Sequence, residues 1–292
     1  MTTDAPLITP QALQTQLQGN HPPVLLDVSY DLMRPDAGRA MFAELRISGA
    51  QHVDLAQDLS AAAGAPTACG GRHPLPTRED FAQWLGRRGI GADTAVVAYD
   101  RNGTMFAGRL WWMLRWCGHK QVQLLDGGLA AWQAMGGELA QGAPPGLPPP
   151  TTYALQAPLT PLVTLPDVAA GLPSRQHRLV DARAAARYRG DTEPLDPVAG
   201  HVPGALNRPF DLNFTADGRF KDAATLRAEW QALLGNDTTR PVVLMCGSGV
   251  SAVPNLLAME IAGLPHGGLF AGSWSEWCRQ PEAPCATGDA PG

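Results

Sequence analysis

VVLMCGSGVSAVPNLLAME, residues 242–260, sets a cysteine at the end of an apolar run, followed at once by glycines and a helical pattern. Residues 95–114, AVVAYDRNGTMFAGRLWWML, repeat that layout with Asp100 in the place of Cys246. Such a stretch reads as strand, loop and helix of a parallel sheet, whose active loops lie beyond the carboxyl ends of the strands. Gly247 and Gly249 are expected at positive φ, where no side chain hinders the curl. The amides of that loop and the positive end of the next helix would then form an anion-binding nest that favours a thiolate. Pro254 fits if it lies in the first helical turn, where its missing N–H is not needed.

The chain on either side of the Pro- and Gly-rich stretch 141–158 matches element by element. VLLDV (24–28) pairs with RLVDA (178–182), RISGA (46–50) with HVPGA (201–205), and LLDGGLAAW (124–132) with GLFAGSWSEW (268–277). The helix holding Trp84 pairs with the one holding Trp230. Ala50 to Ala205 is a step of 155 and Asp100 to Cys246 one of 146, so the first half carries nine extra residues between those points. They fall mostly in the small-residue loop 59–77, which contains His73. Short apolar strands of four to six residues alternating with helices imply an α/β fold with parallel sheets covered on both faces. In TREDFAQWLGRRG (77–89), Thr77 is the expected helix N-cap and Gly89 the stop.

Composition excludes several classes of function. The 292 residues are 45% apolar with net charge −5 and no basic block, so neither nucleic acid nor an anionic membrane surface is an expected partner. No stretch approaches the roughly 18 uncharged apolar residues of a membrane span. MTTDAPLITPQALQTQL (1–17) lacks the pattern of a secretory leader. Five cysteines (69, 117, 246, 278 and 285), none in a Cys-x-x-Cys pair, favour free thiols and a cytoplasmic location.

CGSGVSA (246–252), GHVPGALN (200–207), DARAAARYRG (181–190), DGGLAAW (126–132) and GSWSEW (272–277) together resemble the tandem rhodanese-type sulfurtransferases. That resemblance spans nearly the whole chain. It implies two rhodanese-like domains, each a small parallel sheet flanked by helices on both faces: residues 1–140, degenerate because Asp100 replaces the cysteine, a linker at 141–158, and a catalytic domain at 159–292. It also implies a site at the domain interface and sulfane-sulfur transfer through a Cys246 persulfide, with no metal or organic cofactor. The expected partners are a small-molecule sulfur donor and a thiol acceptor, such as thioredoxin or a low-molecular-weight thiol, or cyanide.

The donor is read from the loop. Thiosulfate-using relatives tend to carry basic side chains directly after the cysteine, whereas mercaptopyruvate-using ones resemble CGSGV (246–250). By that resemblance Ser248 is expected to relay a proton to the leaving enolate, with His73 of GRHPLP (71–76) beside it. The resemblance further implies that Arg187 grips the donor carboxylate and that Gly247, Gly249, Val250 and Ser251 line it with backbone. The resemblance asks for a second arginine within 191–201, and none stands there; Arg183 and Arg189 lie near. It also asks for an acid near His73, where Ala56 stands between Asp54 and Asp58, the latter a candidate substitute. Phe106 is read as either a pocket wall or core. Trp274 and Trp277 are read as core anchors, His201 as a turn-fixing hydrogen bonder, Cys278 and Cys285 as inert thiols, and 281–292 as frayed. Cys69 and His73 alone are too few for a metal site. A cysteine phosphatase needs Cys-x5-Arg, but six residues after Cys246 stands Ala252. A persulfide carrier that hands sulfur to a protein partner is the noncatalytic alternative.

Overall fold

The computed structural model describes residues 5–144, 146–172, 174, 176–235 and 240–292. Met1–Asp4 of the N-terminal stretch and Pro145 of the 141–158 segment lie outside the described residues. Chain contacts divide the described residues into two units. Unit 1 takes the described residues within 5–66, 76–160 and 215–220; unit 2 takes those within 67–75, 161–214 and 221–292.

Unit 1 runs β1 (Leu7–Ile8), α1 (Pro10–Leu17), β2 (Val24–Asp27), α2 (Ala37–Glu44), β3 (Arg46–Ile47), β4 (Gln51–His52), α3 (Arg78–Arg87), β5 (Val96–Tyr99), α4 (Met105–Trp116), β6 (Val122–Leu125), α5 (Gly128–Ala134) and β7 (Leu139–Ala140). Its sheet has the order β1-β6-β5-β2-β4 with every pairing parallel. β3 and β7 form a separate antiparallel pair that local sequence pattern does not announce.

Unit 2 runs β8 (Leu162–Val163), α6 (Leu165–Gly171), β9 (Arg178–Asp181), α7 (Ala185–Arg189), β10 (Leu206–Asn207), a 3-10 turn at Phe210–Asn213, α8 (Ala223–Leu234), β11 (Val242–Met245), α9 (Val253–Ile261), β12 (Gly268–Phe270) and α10 (Ser273–Trp277). Its all-parallel order β8-β12-β11-β9-β10 repeats that of unit 1 strand for strand. The registers agree too: Asp27 lies opposite Tyr99, and Asp181 opposite Met245. The duplication read from sequence is therefore one of topology. Strands are shorter than expected at the edges, where β1, β4, β8 and β10 span two residues each. Short edges offer little unpaired backbone to a second chain.

Residues two apart on a strand share a face, and this alternation builds both cores. In unit 1, Leu25, Val97, Tyr99 and Leu125 pack with Leu13, Phe42, Leu129 and Trp132 from helices on one side. In unit 2, Val243, Met245, Leu179 and Phe270 pack with Val168, Tyr188, Trp274 and Trp277. The alternate residues Val242, Leu244 and Val180 are buried on the other face. Thr77 caps α3 as expected, its Oγ1 accepting from the Asp80 amide at 3.1 Å, and Gly89 follows the helix at φ +73°.

The tail corrects the expectation that 281–292 is frayed. His201 and Ala286 exchange backbone hydrogen bonds of 2.8 and 2.9 Å, and the Gly288 amide donates to the Arg189 carbonyl. Trp277 Nε1 also reaches the Pro284 carbonyl at 3.0 Å. These bonds tie down a Pro-rich segment whose composition has no periodic signal. Within 141–158, Tyr153 is buried and its hydroxyl donates to the Cys117 carbonyl.

Candidate functional site

β11 is the central strand of its sheet, and Cys246 follows its last residue. The loop that begins there is pinned from the α10 side. Cys246 N–H donates to Ser273 Oγ at 3.0 Å, Trp274 N–H to the Cys246 carbonyl at 3.0 Å, and Ser275 N–H to the Gly247 carbonyl at 2.8 Å. Ser273 itself sits at φ +54° and donates to the Phe270 carbonyl at 2.7 Å. Trp274 is fully buried and its Nε1 donates to the Val198 carbonyl, an anchor as expected. Sequence reasoning missed Ser273 and Ser275, because a serine between tryptophans carries no signal of what its hydroxyl will meet.

Of the two loop glycines, only Gly249 has the left-handed backbone, at φ +70°; a Cβ there would lie 2.1 Å from the Ala271 carbonyl oxygen. Gly247 does not have positive φ, which corrects the expectation for it. Its missing side chain matters for another reason: a Cβ would stand 3.0 Å from Arg72 Nη2 and 3.4 Å from Arg187 Nη1. Pro254 is the second residue of α9, inside the first turn. Among the described residues, the amides of Ser248, Val250, Ser251 and Ala252 donate to no acceptor of the chain.

Unit 1 shows what this kind of loop holds. The Asp100 carboxylate turns back into its own loop and accepts four amides: Asn102 at 2.9, Thr104 at 3.0, Phe106 at 2.8 and Ala107 at 2.9 Å. Gly103, in the position of Gly249, has φ +66°, and Leu129 N–H donates to the Asp100 carbonyl as Trp274 N–H does to that of Cys246. Burial raises the Asp100 pKa, and the four amides work against that rise. Replacing Asp100 by Asn would aim an NH2 group at two of those amides. The expected loss is about 2–4 kcal/mol of stability, read as a lower midpoint in urea unfolding. An unchanged midpoint would mean the four bonds contribute nothing. Phe106 is buried edge-on against Tyr30, as core packing requires.

His73 belongs to the 67–75 segment of unit 2, and its Nδ1 lies 2.9 Å from Ser248 Oγ, with both side chains buried. The segment is held by the Arg72 amide donating to Ser275 Oγ at 2.9 Å and the Gly70 amide to Glu276 Oε1 at 2.7 Å. Burial raises the Glu276 pKa. In unit 1, Ala56 is exposed, and Asp58 accepts from Trp84 Nε1 at 2.9 Å and pairs with Arg88 at 3.3 Å.

Around the loop lies an ion-paired cluster. Arg187 pairs with Glu193 at 2.6 Å and Asp196 at 3.5 Å; Arg183 pairs with Asp181 at 2.7 Å and Glu193 at 3.3 Å. Asp196 also takes Arg72 at 2.5 Å and Arg279 at 3.3 Å. Burial opposes the Arg183 charge, yet Asp181, Glu193 and the Cys246 sulfur hold its pKa above the ordinary value. Burial likewise opposes the Glu193 charge, and Arg187 with the Leu195 and Asp196 amides outweighs it, so its pKa is lowered. Arg189 pairs outward with Asp191 and Asp289. His201 is buried, stacks on Tyr188 at 3.8 Å and bonds its carbonyl, the structural part expected of it. Burial pushes the Cys117 thiol up to about 12 and also raises Cys278 and Cys285. Among the described residues, no group of three His, Cys, Asp or Glu could hold a metal, and no helix is long and apolar enough to cross a membrane.

The rhodanese-like domain family matches residues 9–135 and again 164–280. The chain belongs to the rhodanese-like family. It is 42% identical over 291 residues, 98% of this chain and 100% of the other, to the probable 3-mercaptopyruvate sulfurtransferase of Pseudomonas aeruginosa. It is 37% identical over 215 residues, 70% of each chain, to the thiosulfate sulfurtransferase of Mus musculus. Among solved rhodanese folds, SseA of Escherichia coli, described as a 3-mercaptopyruvate sulfotransferase, is 30% identical, with a TM-score of 0.76 over 93% of this chain and 100% of that one.

Proposed function

We propose that the chain is a sulfurtransferase that moves sulfane sulfur from 3-mercaptopyruvate, through a persulfide on Cys246, to a thiol or cyanide. The Cys246 thiolate attacks the donor sulfur, and an S–S bond forms as the donor C–S bond breaks. The electron pair of that C–S bond stays on carbon, giving the enolate of pyruvate, which must take up a proton. An acceptor such as cyanide then attacks the outer sulfur, leaves as thiocyanate and returns the thiolate. The amides of Ser248, Val250 and Ala252, which match those of Asn102, Thr104 and Phe106, would hold the negative outer sulfur as the unit 1 loop holds the Asp100 carboxylate.

One observation carries the choice of donor: the 2.9 Å contact between Ser248 Oγ and His73 Nδ1. An enolate leaving group needs a proton, and a hydroxyl backed by an imidazole is a path for one. Thiosulfate releases sulfite, a stable anion that needs none. In this reading Cys246, Ser248 and His73 do the chemistry, while Arg187 and the backbone of Gly247, Gly249, Val250 and Ser251 seat the donor. A low-molecular-weight thiol or thioredoxin serves as acceptor, and the cytoplasm is the proposed location. The runner-up, thiosulfate as the preferred donor, draws on the mouse relative.

Steady-state thiocyanate formation with each donor decides between them, with a higher kcat/KM expected for 3-mercaptopyruvate. Ser248→Ala should lower kcat with that donor by about 100-fold and leave thiosulfate turnover near wild type. Equal losses with both donors would rule out the proton path.

A further inference from the structure

Resting on that reading, we propose that Arg72 is the second guanidinium that binds the oxyanion end of the donor, opposite Arg187. The resemblance asks for a second arginine within 191–201, and Asp196 is one of the residues standing there instead. The structure brings an arginine of the 67–75 segment, Arg72, onto Asp196. Arg72 Nη2 and Arg187 Nη1 both lie beside Gly247, 3.0 and 3.4 Å from where a Cβ of that residue would stand. That point is one residue past the sulfur that receives the transferred atom.

The ion pairs behind these tips are arranged so that the cations face outward. The side chains of Asp196 and Glu193 are 0% and 3% exposed, whereas those of Arg72 and Arg187 are 23% and 20% exposed. The acids fix the guanidiniums from the buried side and leave N–H groups of both available to a ligand. Asp196 is shared among Arg72, Arg187 and Arg279, so one carboxylate serves three guanidiniums. Two guanidinium tips on the same side of Gly247 suit a planar carboxylate or a sulfonate-type group, which can accept from both. A side chain at residue 247 would crowd both tips.

A ligand oxyanion held this way loses a charge-assisted bond when Arg72 becomes Gln. The test measures KM and kcat of wild type, Arg72→Gln and Arg72→Lys with 3-mercaptopyruvate, with thiosulfate, and with mercaptoacetone, the keto-thiol in which a methyl replaces the carboxylate. For 3-mercaptopyruvate, Arg72→Gln should raise KM by about 10- to 100-fold with little change in kcat. Arg72→Lys should recover part of that loss, because it keeps the charge without the fork. Kinetics with mercaptoacetone should not change.

An unchanged KM, a fall confined to kcat, or equal weakening of both keto-thiols would overturn the assignment, the last by showing that Arg72 only braces the loop. Should the wild-type protein turn over thiosulfate and not 3-mercaptopyruvate, the donor reading fails separately. Arg72 is then judged on thiosulfate, whose KM must rise in the same variants for the assignment to stand.

Discussion

Cys246→Ser is expected to abolish sulfur transfer, lowering turnover on the order of 10⁴-fold or more with either donor. The hydroxyl that replaces the thiol is a poor nucleophile toward sulfur. Burial raises the pKa of Cys117 to about 12 and that of Cys278 as well, which makes neither a ready substitute. The fold should be untouched, because Cys246 makes its bonds to Ser273 and Trp274 through its backbone. Thermal unfolding within experimental error of wild type, with activity gone, is the combined result to look for. Residual turnover above a hundredth of wild type, roughly the size of a modest acid–base contribution, would place the sulfur-carrying atom elsewhere.

Gly249→Ala is expected to have the largest effect on the loop itself. At φ +70° any Cβ costs about 1 kcal/mol or more. It would also lie 2.1 Å from the Ala271 carbonyl oxygen, so the backbone must move. Together the two effects amount to roughly 2–4 kcal/mol, read as a lower unfolding midpoint. Activity should drop with it, since Ala271 adjoins the Gly272–Ser275 turn that pins Cys246. Gly247→Ala differs in kind: its cost falls on the Arg72 and Arg187 tips rather than on the backbone. Similar stability losses in both variants would show that the two glycines serve the loop in the same way, against the geometry of each.

The repeat, the parallel sheets and the loop that follows the strand before Cys246 are legible because they rest on local pattern: an apolar run, a glycine turn, a helix. Trp274 and Trp277 can be placed in the core for the same reason, and Pro254 in the first turn of its helix. His73 is found by resemblance, and its contact with Ser248 is a long-range fact that no window of sequence contains. Arg72 stands next to His73 in plain view, yet nothing local says that its guanidinium pairs with Asp196 and lies beside Gly247. Gly247 misleads because a glycine can serve close approach as well as positive φ, and the letter does not say which. The tail 281–292 misleads because its order comes from bonds to His201, Arg189 and Trp277, which composition cannot register.

Intact-protein mass spectrometry after brief exposure to 3-mercaptopyruvate tests the central claim most directly. The mass should rise by about 32 daltons, one sulfur atom carried covalently, map to the peptide containing Cys246, and disappear on adding cyanide. A mass that never changes in a protein that still makes thiocyanate, or an added sulfur that maps to another cysteine, would contradict the account.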